Sequence, residues 1–278
     1  MKISESDVAQ HYADEGLLDR ILAGLEATGA NLDDLQPHEL APVEEFHIGG
    51  RKATVHAVDQ MSLNKDHHVL DVGCGIGGAA RYMADHTGCT VTGIDLTPEY
   101  ISVAQHLNVL TGMNERVRFE VASALDMPYE DMTFDAAITL HVAMNIRERA
   151  ALYGEIARVL KPGATFYLFD VMKKNEGQLA FPVPWAQSED TSHLTTPDEM
   201  LVLLDAAGFE VREVSDRTDF ALEFFRENMR VSANGSPPLG VSIVMGGSAA
   251  EKLGNVLRNI EAGFIAPVQM VARRCDDV

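Results

Sequence analysis

The sequence predicts an α/β fold built on a mostly parallel β-sheet. Strand-like and helix-like segments alternate from residue 69 to residue 170, at the spacing typical of βαβ units. A glycine-rich segment, Gly73 to Gly78, follows the first strand, where a tight turn lets the backbone approach a ligand closely. Hydrophobic residues make up 46% of the 278 residues and charged residues 23%, which excludes disordered chains, collagens and coiled coils.

Short apolar runs bounded by turn residues predict six strands, at residues 69–72, 90–94, 117–121, 134–140, 165–170 and 209–214. A seventh strand over 264–272 contains Pro267, which favours an edge or bulged position. Three- and four-residue spacing of apolar side chains predicts helices near 6–28, 50–62, 77–86, 98–111, 147–160, 219–231 and 248–262. One more helix begins after Thr196, where Pro197 and Glu199 complete a capping box, and it ends at Gly208.

Charge and composition limit the classes of partner. The chain has 42 acidic and 22 basic residues, a formal net charge of −20, which disfavours nucleic acid and suits a neutral or cationic small substrate. No apolar run reaches the roughly 18 residues that span a bilayer, and the first residues lack the pattern of a signal peptide. Three cysteines are too few for a disulfide framework. We therefore expect a cytoplasmic protein without a membrane partner.

The glycine loop and two acids predict a nucleotide site. Gly73, Gly75 and Gly78 satisfy the G-x-G-x-x-G spacing, which by itself also fits a nicotinamide oxidoreductase or a non-catalytic nucleotide-binding module. Asp71, two residues before the first glycine, can hold the ammonium end of a methionine moiety. Asp95, at the end of the second strand, can accept both hydroxyls of a ribose. Asp71 and the openness of the loop favour S-adenosylmethionine over a dinucleotide.

Four ordered motifs resemble one family. VLDVGCGIGG (69–78), VTGIDLTPEY (91–100), the FD-x-A strand that ends in Leu140-His141, and RVLKPGA (158–164) are similar to the motifs of class I S-adenosylmethionine-dependent methyltransferases. The flanking EEFHIGGR (44–51) and PVPWA (182–186) are similar to sarcosine/dimethylglycine-type methyltransferases. The resemblance implies a Rossmann-like seven-stranded sheet in the order 3-2-1-4-5-7-6, with the last strand antiparallel and a helical cap.

The resemblance also implies one domain over 1–278 and a set of cofactor contacts. Residues 1–60 would form a lid, 61–175 the nucleotide-binding core, and 176–278 the substrate-cap segments and C-terminal strands. Within the cap, 1–60, 176–195 and 215–262 would cover the substrate. The family's Gly-Asp-Ala is replaced here by Ala122-Ser123-Ala124, so a neutral serine oxygen would meet the adenine. The implied contacts to S-adenosylmethionine are Asp71, Gly73 and Gly75 at the methionine end, Asp95 at the ribose, Leu96, Ser123 and Ala124 at the adenine, and Leu140 near the methyl group.

The substrate side rests on four residues. His141 leaves the fourth strand near the reactive methyl and would act as a base or position the substrate. His47 precedes Gly49-Gly50, a possible helix start whose free amides suit an anion. Trp185 would contact an alkylated ammonium through a cation–π interaction, and Tyr12 would close over the cofactor.

These features predict methyl transfer to a small amine of the N-methylated glycine type. S- or O-methylation of another small acceptor stays open, as does the oligomeric state. No two-histidine-plus-carboxylate spacing appears in the sequence, so no metal is expected.

Overall fold

The chain folds around one seven-stranded sheet with helices on both faces. A computed structural model describes residues 16–232, 235 and 237–276. The sheet order is β3-β2-β1-β4-β5-β7-β6, as predicted, and β7 is antiparallel to both of its neighbours. The strands are β1 (His68–Val72), β2 (Thr90–Asp95), β3 (Val117–Val121), β4 (Phe134–Leu140), β5 (Leu160–Lys173), β6 (Phe209–Asp216) and β7 (Ile265–Arg274).

The helices fall into a framework set and a capping set. The framework helices are α1 (Leu17–Thr28), α2 (Ala41–Glu44), α3 (Gly50–Met61), α4 (Gly78–Thr87), α5 (Pro98–Leu110), α6 (Arg149–Val159) and α7 (Pro197–Ala206). The capping helices are α8 (Thr218–Ser232), α9 (Ser242–Met245) and α10 (Ala249–Glu261). The predicted capping box of α7 is confirmed, because the Thr196 hydroxyl accepts from the Glu199 amide at 3.2 Å.

The position of the site follows from the central strands. β1 pairs in parallel with β2 on one side and with β4 on the other, so their carboxyl ends share one edge of the sheet. Val69, Leu70 and Val72 of β1 are fully buried, and apolar clusters cover both faces of the sheet. In such sheets ligands bind outside the carboxyl ends, where the strand order reverses beside the first strand.

Two strands differ from the sequence prediction. The Lys161-Pro162-Gly163 segment lies inside β5 rather than in a turn before it, and Gly163 takes a φ of +76° at an irregularity in the β4–β5 pairing. The strand is longer than predicted because β7 pairs with it from Thr165 to Lys173.

The edge or bulged position that Pro267 favours is not found, and the register shift of the β6–β7 pairing lies at Val211/Glu213, away from Pro267. β7 lies between β5 and β6. Pro267 is tolerated there because pairing with β6 ends at the neighbouring residue, Val268, so Pro267 faces only Val171 of β5 in the ladder. Beyond that point the Arg217 amide donates to the Pro267 carbonyl at 2.8 Å. The pattern of a single strand does not reveal which strands border it.

Within the predicted lid, 1–60, the first described helix, α1, is packed against the rest of the chain. Leu17, Ile21 and Leu25 of α1 are buried in a cluster with Leu107 of α5 and Val244 of α9. α1 therefore joins the N-terminal segment to the capping helices. No helix within 16–232, 235 and 237–276 is long and apolar enough to cross a membrane.

Candidate active site

A cavity of about 410 Å³ opens at the carboxyl ends of β1, β2 and β4. Its volume falls within the roughly 300–1,000 Å³ typical of small-molecule sites. Loops after the strands form one end, which we call the nucleotide end; the capping helices and the segments around Phe46 and Trp185 form the other, which we call the acceptor end. Lining residues of the nucleotide end are Asp71, Gly73, Cys74, Gly75, Ile94, Asp95, Leu96, Thr97, Ala122, Ala124 and Leu125. Lining residues of the acceptor end include Phe46, His47, Ile48, His141, Met144, Pro184, Trp185, Phe224, Phe225, Met245, Lys252 and Val256.

The glycine loop needs its glycines for space and for backbone shape. Gly73 and Gly75 take φ values of +74° and +54°. A Cβ at Gly73 would lie 2.5 Å from Val142 Cγ2, and a Cβ at Gly75 would lie 2.7 Å from Phe46 Cζ. The Gly73 and Cys74 amides donate to the Ile94 carbonyl at 2.8 and 2.9 Å, which fixes the loop against the end of β2. The loop therefore presents bare backbone to the cavity.

Asp95 is held by the backbone of two loops. Its Oδ2 accepts from the Gly75 amide at 3.0 Å and its Oδ1 accepts from the Thr97 amide at 2.9 Å. Burial raises the pKa of the carboxyl, while these amides favour its charged form. The Thr97 hydroxyl and the Leu96 amide also favour the charged form. Because Asp95 lines the cavity, its carboxylate is held where the hydroxyls of a ligand can reach it.

Asp71 has unused hydrogen-bonding capacity. The residue is 2% exposed, and its Oδ2 has no hydrogen-bond partner among the residues the structure describes. Burial raises the pKa of its carboxyl to about 7, the nearby carboxylates of Asp95 and Glu45 add to this, and the Ala80 amide opposes it. A cationic group of a ligand would relieve that cost, so Asp71 fits the ammonium of a methionine moiety.

The remaining predicted nucleotide contacts divide into two groups. Leu96, Ala124 and Leu140 line the cavity and give it an apolar wall. Ser123 is not among the lining residues, because its Oγ turns back to accept from the Leu125 amide at 3.0 Å. Ala122 and Ala124 on either side reach the cavity instead. The predicted Ser123–adenine hydrogen bond has no support in this geometry.

His141 is placed by a strained backbone. Its φ of +58° is unusual for a residue with a side chain, and its amide donates to the Phe169 carbonyl at 2.7 Å. The ring borders the cavity and packs 5.0 Å from the Phe169 ring. Burial holds the pKa of the imidazole well below its usual value, with a further contribution from His47, so the ring is neutral. Its Nε2 has no hydrogen-bond partner within the described residues.

His47 lies beside His141 but its Nε2 is engaged. The two rings are 6.1 Å apart. The Thr54 hydroxyl donates to Glu45 Oε2 at 2.6 Å, so it is left to accept from His47 Nε2 at 3.2 Å. Burial lowers the pKa of His47 to about 4, so the ring is neutral and has little attraction for an anion.

The predicted anion site at the start of α3 does not form. Gly49 and Gly50 are absent from the cavity lining, and the Phe220 ring of α8 packs directly against Gly49. The Gly50 amide is also engaged, since it donates to the His47 carbonyl at 3.1 Å. The physical reason is tertiary packing by α8, which lies some 170 residues further along the chain.

A buried ion cluster, which the sequence did not predict, joins the two ends. Glu44 accepts from Arg81 at 2.7 Å and from Arg51 at 2.8 Å, and Arg51 Nε lies 2.6 Å from Glu45 Oε1. Arg81 also donates to the Ile76 carbonyl in the glycine loop. Burial raises the pKa of both glutamates, and the two arginines oppose this. The EEFHIGGR string contains three of these residues, but nothing in its pattern shows that they are buried.

Trp185 both lines the cavity and anchors its own loop. The residue is 5% exposed, and its indole nitrogen donates to Ser192 Oγ at 3.0 Å. The indole N–H thus has its hydrogen-bond partner within the loop. The apolar part of the ring lines the cavity together with Pro184. Tyr12, the other predicted aromatic contact, lies outside the described residues.

Phe224, Phe225, Met245 and Lys252 form a wall of the acceptor end that sequence reasoning missed as site residues. They lie on α8 to α10, a region predicted only as cap. The Lys252 position carries a usable signal: it falls in line with Ala249, Val256 and Ile260 at three- and four-residue spacing, so a lysine interrupts an apolar stripe.

Known proteins resemble the chain in both sequence and fold. Residues 70–168 match a family model described as a methyltransferase domain. The chain is 30% identical over 192 residues to a sterol 24-C-methyltransferase of Neurospora crassa, a match that covers 64% of the chain and 50% of that enzyme. Several curated relatives, this one included, are matched over only about half of their own length.

Two solved structures share the fold over most of the chain. One is the [4+2]-cyclase SpnF, with a TM-score of 0.72 at 23% identity, which covers 98% of this chain and 97% of that one. The other is a putative sarcosine dimethylglycine methyltransferase from Galdieria sulphuraria, with a TM-score of 0.66 at 17% identity, covering 82% and 86%. At these identities the likeness concerns architecture alone.

The family resolves the ambiguity of the glycine spacing. The nicotinamide oxidoreductase alternative requires a different family from the one matched across β1 to β5. S-adenosylmethionine is the cofactor of the matched family, and the site fits it. The unpartnered oxygen of Asp71 suits its ammonium group, and the carboxylate of Asp95 suits its ribose. The exposed backbone at Gly73 leaves room for its methionine side. Residues 70–168 thus match a methyltransferase domain, in agreement with the resemblance to class I S-adenosylmethionine-dependent methyltransferases found in the sequence.

Proposed function

We propose that the protein transfers a methyl group to the nitrogen of a small amine that binds in the acceptor end of the cavity. The observation that carries this proposal is the His141 ring: it is neutral, borders the cavity, and has an Nε2 without a partner among the described residues. An open acceptor end next to the nucleotide end also argues against a non-catalytic nucleotide-binding module.

The residues that would hold S-adenosylmethionine all lie at the nucleotide end. Asp71 would accept from the ammonium, Asp95 from the ribose hydroxyls, and the backbone at Gly73 and Gly75 would pass along the methionine chain. When bound, the cofactor supplies an electrophilic methyl group on a sulfonium, so the protein has to orient the acceptor and exclude water.

His141 would position the acceptor rather than remove its proton. Its lowered pKa makes the imidazole a weak base, so it is a poor acceptor for the proton of an alkylammonium. A neutral amine, by contrast, can donate an N–H to His141 Nε2 and keep its lone pair free for the attack. Burial in an apolar cavity favours the neutral form of the amine for the same reason that it favours neutral His141.

Trp185 and Pro184 would form a wall against the alkyl groups of the acceptor. Trp185 keeps the apolar part of its ring toward the cavity while its indole N–H is bound to Ser192. The ring therefore supplies contact area without an unsatisfied polar group. The cation–π role predicted from the sequence requires a charged acceptor, whereas the neutral His141 and His47 rings favour an uncharged one.

A metabolite panel tests the proposal. Purified protein is incubated with S-adenosylmethionine and a panel of primary, secondary and tertiary amines, thiols and phenols, and products are found by the mass gain of one methyl group. We expect methylated primary and secondary amines, because a neutral tertiary amine has no N–H to donate to His141. His141→Ala should lower kcat by about tenfold to a hundredfold through lost positioning, and S-adenosylhomocysteine affinity should stay within about twofold in the same variant. Methylation of thiols or phenols alone would overturn the amine assignment in favour of S- or O-methylation.

A further inference from the structure

We propose that Lys252 binds an anionic group, a carboxylate or phosphate, on the molecule that occupies the acceptor end of the cavity. The proposal rests on the proposed use of this cavity by a small acceptor. It names a further property of that acceptor: an apolar body that carries one anionic group. Lys252 lies on α10 and lines the same cavity as His141 and Trp185.

Lys252 differs from the other lysines of the described chain. It is 8% exposed, and among the described residues it has no hydrogen bond and no ion pair. The other described lysines are far more exposed, and each pairs with a carboxylate: Lys52 with Glu227, Lys65 with Asp66, Lys161 with Asp135, Lys173 with Glu176, and Lys174 with Asp216. Lys252 is therefore the least exposed of the described lysines, and the described chain supplies no carboxylate to pair with it.

The position of Lys252 is unfavourable for stability in two ways. The side chain of Lys252 is mostly buried, so its ammonium loses part of its hydration without gaining a partner, and burial accordingly lowers the pKa of Lys252. Lys252 also lies in the first turn of α10, which begins at Ala249, and the helix dipole disfavours a cation at this end. An anion bound next to Lys252 would relieve both penalties.

Four of the five carboxylates that line the cavity are committed elsewhere, and the fifth, Glu148, is exposed. Asp71 and Asp95 belong to the nucleotide end, while Glu44 and Glu45 are paired with Arg81 and Arg51. The capping helices contribute mainly apolar lining residues: Leu253 and Val256 of α10, and Phe224, Phe225, Val244 and Met245 of its neighbours. Arg147 also lines the cavity but is exposed, whereas Lys252 is buried. A largely apolar wall with one buried lysine suits a ligand that has an apolar body and an acidic end.

A titration with three probes of one chain length tests this role. Hexanoate, hexyl phosphate and hexanol are titrated calorimetrically into the protein saturated with S-adenosylhomocysteine. We expect one or both anions to bind at least about tenfold more tightly than hexanol, the effect of one charged hydrogen bond. Lys252→Met should remove this preference and leave hexanol affinity unchanged, and Lys252→Arg should retain it. Comparison of hexanoate with hexyl phosphate shows which anion the site takes.

Controls separate a local site from overall charge and from folding. Arg258→Met removes an exposed positive charge from the same helix and should leave the anion preference intact. Ligand-free Lys252→Met should melt at the same or a higher temperature, because an apolar side chain replaces a buried charge.

Equal binding of hexanoate, hexyl phosphate and hexanol by the wild-type protein would overturn the proposal. An anion preference that survives in Lys252→Met would also overturn it. Because the titration reads binding alone, its outcome is independent of whether any amine is methylated.

Discussion

The two ends of the cavity are built by different means. At the nucleotide end, the polar groups lie within residues 71–97, and backbone amides at the strand ends hold the carboxylate of Asp95. At the acceptor end, side chains converge from segments far apart in the chain: 46–48, 141–148, 184–185 and 224–256. The first end is fixed by the sheet, and the second by the packing of helices over it.

This difference allows the specificity for the acceptor to change independently of the specificity for the cofactor. A change at the nucleotide end disturbs loops that are hydrogen-bonded to β2, such as the pairing of Gly73 with the Ile94 carbonyl. A change on α8 to α10 alters the shape and charge of the acceptor end without touching those bonds. The acceptor can therefore differ between proteins that share the same sheet, as between a sterol 24-C-methyltransferase and a putative sarcosine dimethylglycine methyltransferase.

The largest expected effect is at Asp95. Asp95→Ala removes a carboxylate that holds the Gly75 and Thr97 amides and that, in our proposal, accepts from the ribose hydroxyls. S-adenosylmethionine affinity should fall by roughly tenfold to a hundredfold, or about 1.5–3 kcal/mol. Isothermal titration calorimetry measures this, with Asp85→Ala, an exposed aspartate on α4, as the matched control. Unchanged affinity in Asp95→Ala would remove Asp95 from the cofactor site.

A pH effect of intermediate size is expected at Asp71. Its pKa of about 7 means that the carboxyl is partly protonated in the ligand-free protein at neutral pH and becomes charged as the pH rises. An ammonium group needs the charged form, so S-adenosylhomocysteine affinity should rise about five- to tenfold between pH 6 and pH 7.5. Isothermal titration calorimetry between pH 6 and pH 7.5 measures how S-adenosylhomocysteine affinity depends on pH.

The matched variant is Asp71→Asn, which cannot ionise and should give weaker binding with a flat pH profile. The same variant should raise the melting temperature of the ligand-free protein at pH 8. The sign follows because an acid with a raised pKa destabilises the folded state once the pH exceeds its unfolded pKa. An equally steep pH profile in Asp71→Asn would assign the titration to another group.

The smallest expected effect is at Trp185. Trp185→Phe keeps an aromatic wall but loses area and the Ser192 hydrogen bond, and it should raise the acceptor KM by about three- to tenfold. Ser192→Ala removes the same hydrogen bond while the indole stays in place, so its KM should change less. S-adenosylhomocysteine affinity should stay within about twofold in both variants. An equal loss of cofactor affinity would make Trp185 a core anchor only.

Most of the fold was readable from the sequence, because strand–helix alternation and the glycine loop are local patterns. The length of β5 and the interior position of β7 were not readable, since both depend on which strands lie beside them. The order of the seven strands entered through the family resemblance and is confirmed.

The candidate site shows the same division. Asp71, Gly73, Gly75 and Asp95 stand next to strand ends and were found from spacing. Lys252 belongs to an amphipathic helix, and only its place on the apolar stripe distinguishes it from a surface lysine. The anion site expected at Gly49-Gly50 failed because Phe220, distant in the sequence, packs over it.

A cross-titration tests the separation of the two ends most directly. The affinities of S-adenosylhomocysteine and hexanoate are measured calorimetrically for wild type, Asp95→Ala, Lys252→Met and the double variant. We expect Asp95→Ala to weaken only the binding of S-adenosylhomocysteine, Lys252→Met to weaken only the binding of hexanoate, and the double variant to show the sum of the two free-energy changes. A loss of S-adenosylhomocysteine affinity in Lys252→Met as large as its loss of hexanoate affinity would contradict the separation of the two ends.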